Sequence, residues 1–277
     1  MAQDHRLQQQ RFELKYLIRE EMTGPMRDFI SAYLEPDDFA VEQPSLSYPV
    51  HSIYIDSDDL KTHQAVVAGH KNRFKLRLRY YDDNPDTPVF FEIKARVDNC
   101  IMKQRCGVRR NAVPLLLAGQ LPEPGQLISH EPRHLATLER FNFLQTQLDA
   151  VPRLHNCYHR EAWVSANDNS TRITFDRNIF AEPWFSDQPV IELQNPVQIY
   201  PDFVVFEIKF ATRFPNWCRD LVRSFNLMQF SAAKYSGGIE TLGHHRLLTG
   251  DQTFVWQRPA KVQPTVKQPN PPLQAVI

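Results

Sequence analysis

The sequence predicts an α+β protein in which an antiparallel eight-stranded β-barrel carries helices packed on its outside. Three observations carry that expectation. Roughly eight segments alternate apolar and charged residues at the two-residue period of a strand. Most of them set charge opposite a well-formed apolar row. Amphipathic segments at 26–34, 135–148 and 215–228 need an apolar surface to cover, which turns the apolar strand faces outward and leaves the charged faces to line the lumen.

The chain has 277 residues and 42% hydrophobic content, enough for one large domain with a real core. Its formal net charge is zero, so a basic site must come from segregating charge within the chain. The cysteines at 100, 106, 157 and 218 show no CxxC spacing, and no leader-like apolar segment precedes them, which reads as reduced thiols in a cytoplasmic protein. No run of about 18 apolar residues exists, so no membrane span is expected.

In chain order, Arg11 to Leu17 is the first strand, with Arg11, Glu13 and Lys15 on one face and Phe12, Leu14 and Tyr16 on the other. Thr23-Gly24-Pro25 starts a helix whose Met26, Phe29, Ile30, Tyr33 and Leu34 recur at helical spacing. Pro49 to Asp56 is a strand; Ser57 opens a short helix toward Gly69, and Asp56, Asp58 and Asp59 read as cap and surface charges. Phe74 to Tyr81 puts Lys75, Arg77 and Arg79 on one face and Phe74, Leu76, Leu78 and Tyr80 on the other. A turn at Asp82–Pro88 joins it as a hairpin to Phe90–Arg96, where Glu92, Lys94 and Arg96 alternate with apolar residues. Ile101 to Val108 continues with Lys103 and Arg105 on one face. Leu135, Leu138, Phe141 and Leu144 mark an amphipathic helix.

In the second half, Asn156, Tyr158 and Arg160 share a face, and after a turn at 167–170 Arg172, Thr174 and Asp176 alternate with Ile173 and Phe175. Phe203 to Phe210 is the most strand-like segment and carries Glu207 and Lys209 on one face. Pro215 opens a helix through Met228, with Trp217, Leu221 and Met228 toward the core. Lys234 follows in a Gly-containing turn, His244 and His245 read as an exposed pair, and residues 249–277, with five prolines, read as a disordered tail after a single domain over 1–248.

The charged faces together hold Lys15, Lys75, Arg77, Arg79, Lys94, Arg96, Lys103, Arg105, Arg160, Arg172 and Lys209 against Glu13, Glu92, Asp176 and Glu207. Two like charges about 5 Å apart repel by roughly 3 kcal/mol at an effective dielectric near 20, so such a lumen needs an anionic occupant or much water. Arginine forks and lysine charges bind phosphate oxygens, and a lone glutamate among them can hold a divalent metal bridging to those oxygens. Net neutrality and the scarcity of aromatics on the cationic faces argue against nucleic acid. GxxxxGK[ST] is absent, and no Ser-His-Asp or Cys-His set stands out.

RFELKY at 11–16, LRLRYY at 76–81, FFEIK at 90–94, YHR at 158–160, RITFD at 172–176, FEIKF at 206–210 and AKYSGG at 233–238, in this order, resemble the VTC domain of polyphosphate polymerases over about residues 10–240. That family belongs to the triphosphate tunnel metalloenzymes, whose eight-stranded barrel is open at both ends. The resemblance implies that Lys15, Arg77, Arg79, Lys94, Lys103, Arg160, Arg172 and Lys234 contact phosphates, that Tyr158 adds a hydroxyl donor, and that Glu207 is the ligand of a divalent metal, Mn²⁺ or Mg²⁺. Lys209, on the Glu207 face, joins the candidate set. Two alternatives stay open: Glu207 as an ion-pair partner for neighbouring arginines, and Lys234 as a surface lysine. Arg96 and Arg105 have no assigned role; Glu13, Glu92 and Asp176 either pair with lumen cations or hold a second metal.

The function implied is transfer of the terminal phosphoryl group of ATP to a growing inorganic polyphosphate chain, with ATP or another triphosphate and polyphosphate as partners. Hydrolysis of triphosphates in the same fold and noncatalytic polyphosphate binding are the competing expectations. The sequence departs from the eukaryotic polymerases in carrying no SPX domain and no membrane segments. Ser231-Ala232-Ala233 also stands where the family often has a further lysine.

Overall fold

A computed structural model describes residues 12–248, apart from 99, 167–169 and 212. The strands are β1 (Phe12–Arg19), β2 (Glu35–Pro36), β3 (Tyr48–Asp56), β4 (Arg73–Tyr80), β5 (Val89–Val97), β6 (Cys100–Val108), β7 (Val151–Val164), β8 (Thr171–Pro183), β9 (Val197–Gln198) and β10 (Phe203–Phe210). The helices are α1 (Thr23–Ile30), α2 (Asp38–Val41), α3 (Lys61–Val67), α4 (Val113–Leu117), α5 (Pro132–Leu148), α6 (Asn216–Ser224) and α7 (Lys234–Leu242). Arg11 and the tail at 249–277 lie outside the described residues.

The long strands pair antiparallel in the order β1-β10-β8-β7-β3-β4-β5-β6, with β2 added to β7 and β9 to β8. The sheet curls into a half-barrel. No ladder joins its two ends, β1 and β6, among the described residues. Instead Gln229 bridges Tyr16, and the Phe230 amide donates to the Lys15 carbonyl at 2.8 Å, so a short extended segment covers the free edge of β1.

The period-two alternation sorts the side chains as the sequence predicts. On the convex face, Ile53, Ile55, Leu76, Leu78, Phe91 and Ile93 pack with Leu116 of α4 and Leu138 and Phe141 of α5. A second convex core joins Tyr16, Ile173, Phe175, Phe206 and Ile208 to Met26 and Ile30 of α1 and Leu221 of α6. Burying such side chains stabilises by about 1.5–3 kcal/mol each before entropy is set against it, which makes these two layers the main support of the sheet's curvature.

Helix α7 is the exception to the outside placement. Its Tyr235, Ile239 and Leu242 pack with Val50, Tyr54, Leu154, Ile179, Ala181 and Val205, apolar residues of the concave face, and so cover one end of the concavity. The approach is close because two glycines face the strands. A Cβ on Gly237 would sit 2.6 Å from the Tyr200 hydroxyl, and one on Gly238 3.0 Å from Leu154 Cδ1. The expected Gly-containing turn at 234–238 is therefore the first part of a helix.

Two further local readings are corrected. Helix α6 ends at Ser224, and Asn226 turns the chain with φ 48°, so Met228 is 81% exposed and does not face the core. Asp56 is fully buried: its carboxylate accepts from the amides of Ser57, Thr62 and His63, the Thr62 hydroxyl and the Tyr235 hydroxyl, tying α3 and α7 to the end of β3. The four cysteines are free thiols. No helix among the described residues is long and apolar enough to cross a membrane.

Candidate functional site

Strand register brings the concave charges together. Lys15 lies opposite Glu207, Arg77 opposite Glu92, Lys75 opposite Lys94, and Lys94 opposite Lys103. A bulge between Cys157 and His159, where β7 meets β8, brings Arg160 opposite Asp176.

Glu207 is the hub of the β1-β10-β8 side. Its Oε1 accepts from Lys15 Nζ at 2.9 Å and Lys234 Nζ at 3.1 Å, while Oε2 lies 2.6 Å from Lys209 Nζ and 3.7 Å from Arg160. Asp176 takes a bidentate fork from Arg160 at 2.7 and 2.8 Å and Lys234 Nζ at 2.6 Å. Glu92 is the hub of the other side, with Arg77 at 2.6 Å, Lys103 at 2.6 Å and Arg105 at 3.4 Å. Glu13 spans the two, 2.9 Å from Lys15 and 3.1 Å from Lys94, so side chains connect β1 to β5 where the main chain does not. Burial opposes ionisation of Glu207, Glu92 and Asp176, yet the surrounding cations hold all three below the usual carboxylate range.

Some cations have no such partner. Arg79 is 5% exposed, makes no ion pair among the described residues, and its Nε has no hydrogen-bond acceptor; its guanidinium lies 5.9 Å from the Tyr158 ring centroid. Lys75 sits 5.2 Å from the Tyr235 ring centroid, again with no ion pair. Burial pushes its ammonium down to about 8, with Tyr54 opposing and Lys94, Lys15 and Arg77 adding repulsion. Against the effect of burial, Arg77, Lys75 and Arg79 bring the Tyr54 hydroxyl down to about 8. A buried guanidinium with an unused N–H costs on the order of 1–3 kcal/mol, and an anion's oxygens would satisfy it.

The sequence-predicted set converges well. Lys15, Arg77, Arg79, Lys94, Lys103, Tyr158, Arg160, Lys209 and Lys234 all face the concavity or its ion-pair network; Lys234 is 7% exposed and not a surface lysine. Arg172 points to the rim, 2.6 Å from Asp37 and 3.4 Å from the Tyr48 hydroxyl. The sequence reading missed Asp37, Tyr48 and Tyr54. Tyr54 was findable, because it alternates in phase with Ser52 and Asp56 while Ile53 and Ile55 face out.

No group of three or more His, Cys, Asp or Glu side chains is placed to hold a metal ion among the described residues. An all-protein metal cage therefore does not fit. A hard cation that arrives with phosphate oxygens does fit, since such ions need only one or two carboxylates from the protein, and Glu207 is an ionised carboxylate within the cationic cluster.

The half-barrel thus gathers arginine forks and lysines around buried carboxylates on its concave face. The chain belongs to the VTC domain family, whose model matches residues 10–243. Among solved structures, a Bacillus halodurans protein given the provisional description of adenylate cyclase is 12% identical with a TM-score of 0.45, covering 81% of this chain and 94% of its own. A Pyrococcus horikoshii protein is 12% identical with a TM-score of 0.42, covering 84% of this chain and 99% of its own. A search of curated proteins finds no match.

Proposed function

We propose that this VTC-family chain transfers the terminal phosphoryl group of ATP to the end of a growing inorganic polyphosphate chain lying in the cationic concavity. The observation that carries the reading is Arg79, a buried guanidinium with an orphaned N–H and no ion pair among the described residues, set with Arg77, Lys75 and Lys103 beside Glu92. A phosphate oxygen would satisfy it.

In this reading Arg77, Arg79, Lys94 and Lys103 hold one end of the phosphate path and Lys15, Arg160, Lys209 and Lys234 the other, with Tyr158 as a hydroxyl donor and Arg172 at the rim. A terminal oxygen of the polyphosphate forms a bond to the γ-phosphorus, and the bond from that phosphorus to the β,γ-bridging oxygen breaks, releasing ADP. The nucleophile is already an anion, so no protein base is required; the residues act by positioning and by neutralising charge. As phosphates enter, the lysines and arginines now shared with Glu207, Glu92 and Asp176 exchange part of that pairing for phosphate oxygens. A divalent cation held by Glu207 would add charge neutralisation at the reacting phosphates.

One observation favours a second reading, hydrolysis of triphosphates: α7 covers one end of the concavity, which suits a cup for a short substrate with water as acceptor. Incubating the protein with ATP and manganese and resolving the products on a gel separates the two. A ladder of polyphosphate supports transfer; free phosphate alone supports hydrolysis; no change in ATP leaves only binding.

A further inference from the structure

With α7 covering one end, a long chain needs another way out of the concavity, and the half-barrel has one. Between the unjoined ends of the sheet lies a cleft of about 490 Å³ lined by Glu13, Lys15, Arg96, Ile101, Gln229 and Ser231. It adjoins the site, because Lys15 and Glu13 in its lining are bonded to Glu207 and Lys94.

Arg96 in this lining carries a second observation through its neighbour Arg73, which lies beside the cleft. Arg96 and Arg73 are direct cross-strand neighbours on β5 and β4, and neither has a carboxylate within ion-pair distance among the described residues. Arg96 Nε donates to the Asp98 carbonyl at 3.0 Å and Arg73 to the His70 carbonyl, which leaves most of both forks unused. Like charges set directly opposite destabilise a sheet pair, and an anion between the two guanidinium groups would relieve that repulsion.

We propose that the seam between β1 and β6 is a side port for polyphosphate, in which Arg73 and Arg96 bind phosphates of a chain longer than the concavity holds. The proposal rests on the polyphosphate reading above and goes beyond it in assigning an exit route and two residues. Glu13, bonded to Lys15 and Lys94 at once, would yield one of these lysines to the phosphates of the passing chain.

Calorimetric titration of the full chain with sodium tripolyphosphate and, separately, with long-chain inorganic polyphosphate tests it, comparing wild type with Arg73→Glu/Arg96→Glu and with Arg73→Gln/Arg96→Gln in case charge reversal impairs folding. The expected result is a loss of about tenfold or more in long-chain affinity with tripolyphosphate affinity unchanged within about twofold, and a shallower salt dependence for the long chain only. Equal weakening of both ligands, or no change in either, overturns the side port while the proposed function stands. Failure of wild type to bind either ligand overturns both.

Discussion

Replacing Glu207 with Gln tests the centre of the site, because the same side chain is asked to do two things. In the empty protein its carboxylate, 3% exposed, neutralises Lys15 at 2.9 Å, Lys209 at 2.6 Å and Lys234 at 3.1 Å. Glu207→Gln leaves those lysines facing one another with only Glu13 and Asp176 nearby. Removing one partner from a buried ion-pair set costs about 3–5 kcal/mol, or roughly 10 °C of melting temperature for a domain of this size. A bound polyanion restores the missing charge, so saturating tripolyphosphate should raise the variant's melting temperature more than the wild type's and narrow the gap. Ligand at about 1,000 times its dissociation constant adds about 4 kcal/mol to the wild type, which sets the scale of the shift. Turnover should not recover with stability: losing the only anionic oxygen proposed to hold the cation removes about 4 kcal/mol of transition-state stabilisation, near a thousandfold in rate. The assays are thermal unfolding with and without tripolyphosphate, and ATP consumption with manganese. A variant that melts with wild type in the absence of ligand refutes the ion-pair role, and one that turns over ATP at a similar rate refutes the cation role.

Arg77 and Arg79 lie on one strand face but should behave differently. Arg77→Met removes a partner 2.6 Å from Glu92 and should lower the melting temperature of the empty protein, whereas Arg79→Met breaks no ion pair and should leave it unchanged or higher. Each should weaken tripolyphosphate binding by about 10- to 100-fold in calorimetry, the worth of a charged hydrogen bond. Lys75 gives a pH signature: it faces Tyr54, Lys94, Lys15, Arg77 and Tyr235, and its folded pKa of about 8 lies below the ordinary 10.5. Its charge therefore penalises the empty fold below pH 8, and the penalty fades as pH rises toward 10.5. Bound phosphates keep Lys75 protonated, so calorimetry near pH 9 in buffers of different ionisation enthalpy should show more proton uptake for wild type than for Lys75→Met, and no such difference near pH 7. Gly238→Val should cost about 1–3 kcal/mol in thermal unfolding, because the new side chain meets Leu154 and Ala181 at contact distance, and it should weaken tripolyphosphate binding by displacing Lys234.

The sequence by itself determined which residues share a strand face, because side-chain alternation follows from the local backbone and needs no tertiary partner. That was enough to group Lys75, Arg77 and Arg79, to set Glu207 with Lys209, and to set Leu76 and Leu78 on the opposite, apolar face. Only the tertiary structure decided how those faces meet. Lys15 reaches Glu207 across 192 positions of sequence and Lys94 reaches Glu13 across 81, distances set by sheet curl and strand register. The same holds for the open question about Glu13, Glu92 and Asp176: in the structure they are ion-pair partners, which depends on which cations the register lays beside them. Helix α7 was illegible because Lys-Tyr-Ser-Gly-Gly has poor helix propensity. Burial of Tyr235 and Ile239 in the concave face, and the close approach that the glycines allow, outweigh that preference. The same packing turned Asp56 from a surface cap into a buried anchor. Whether a sheet's two ends join is likewise beyond a local pattern, and no ladder joins β1 to β6 among the described residues.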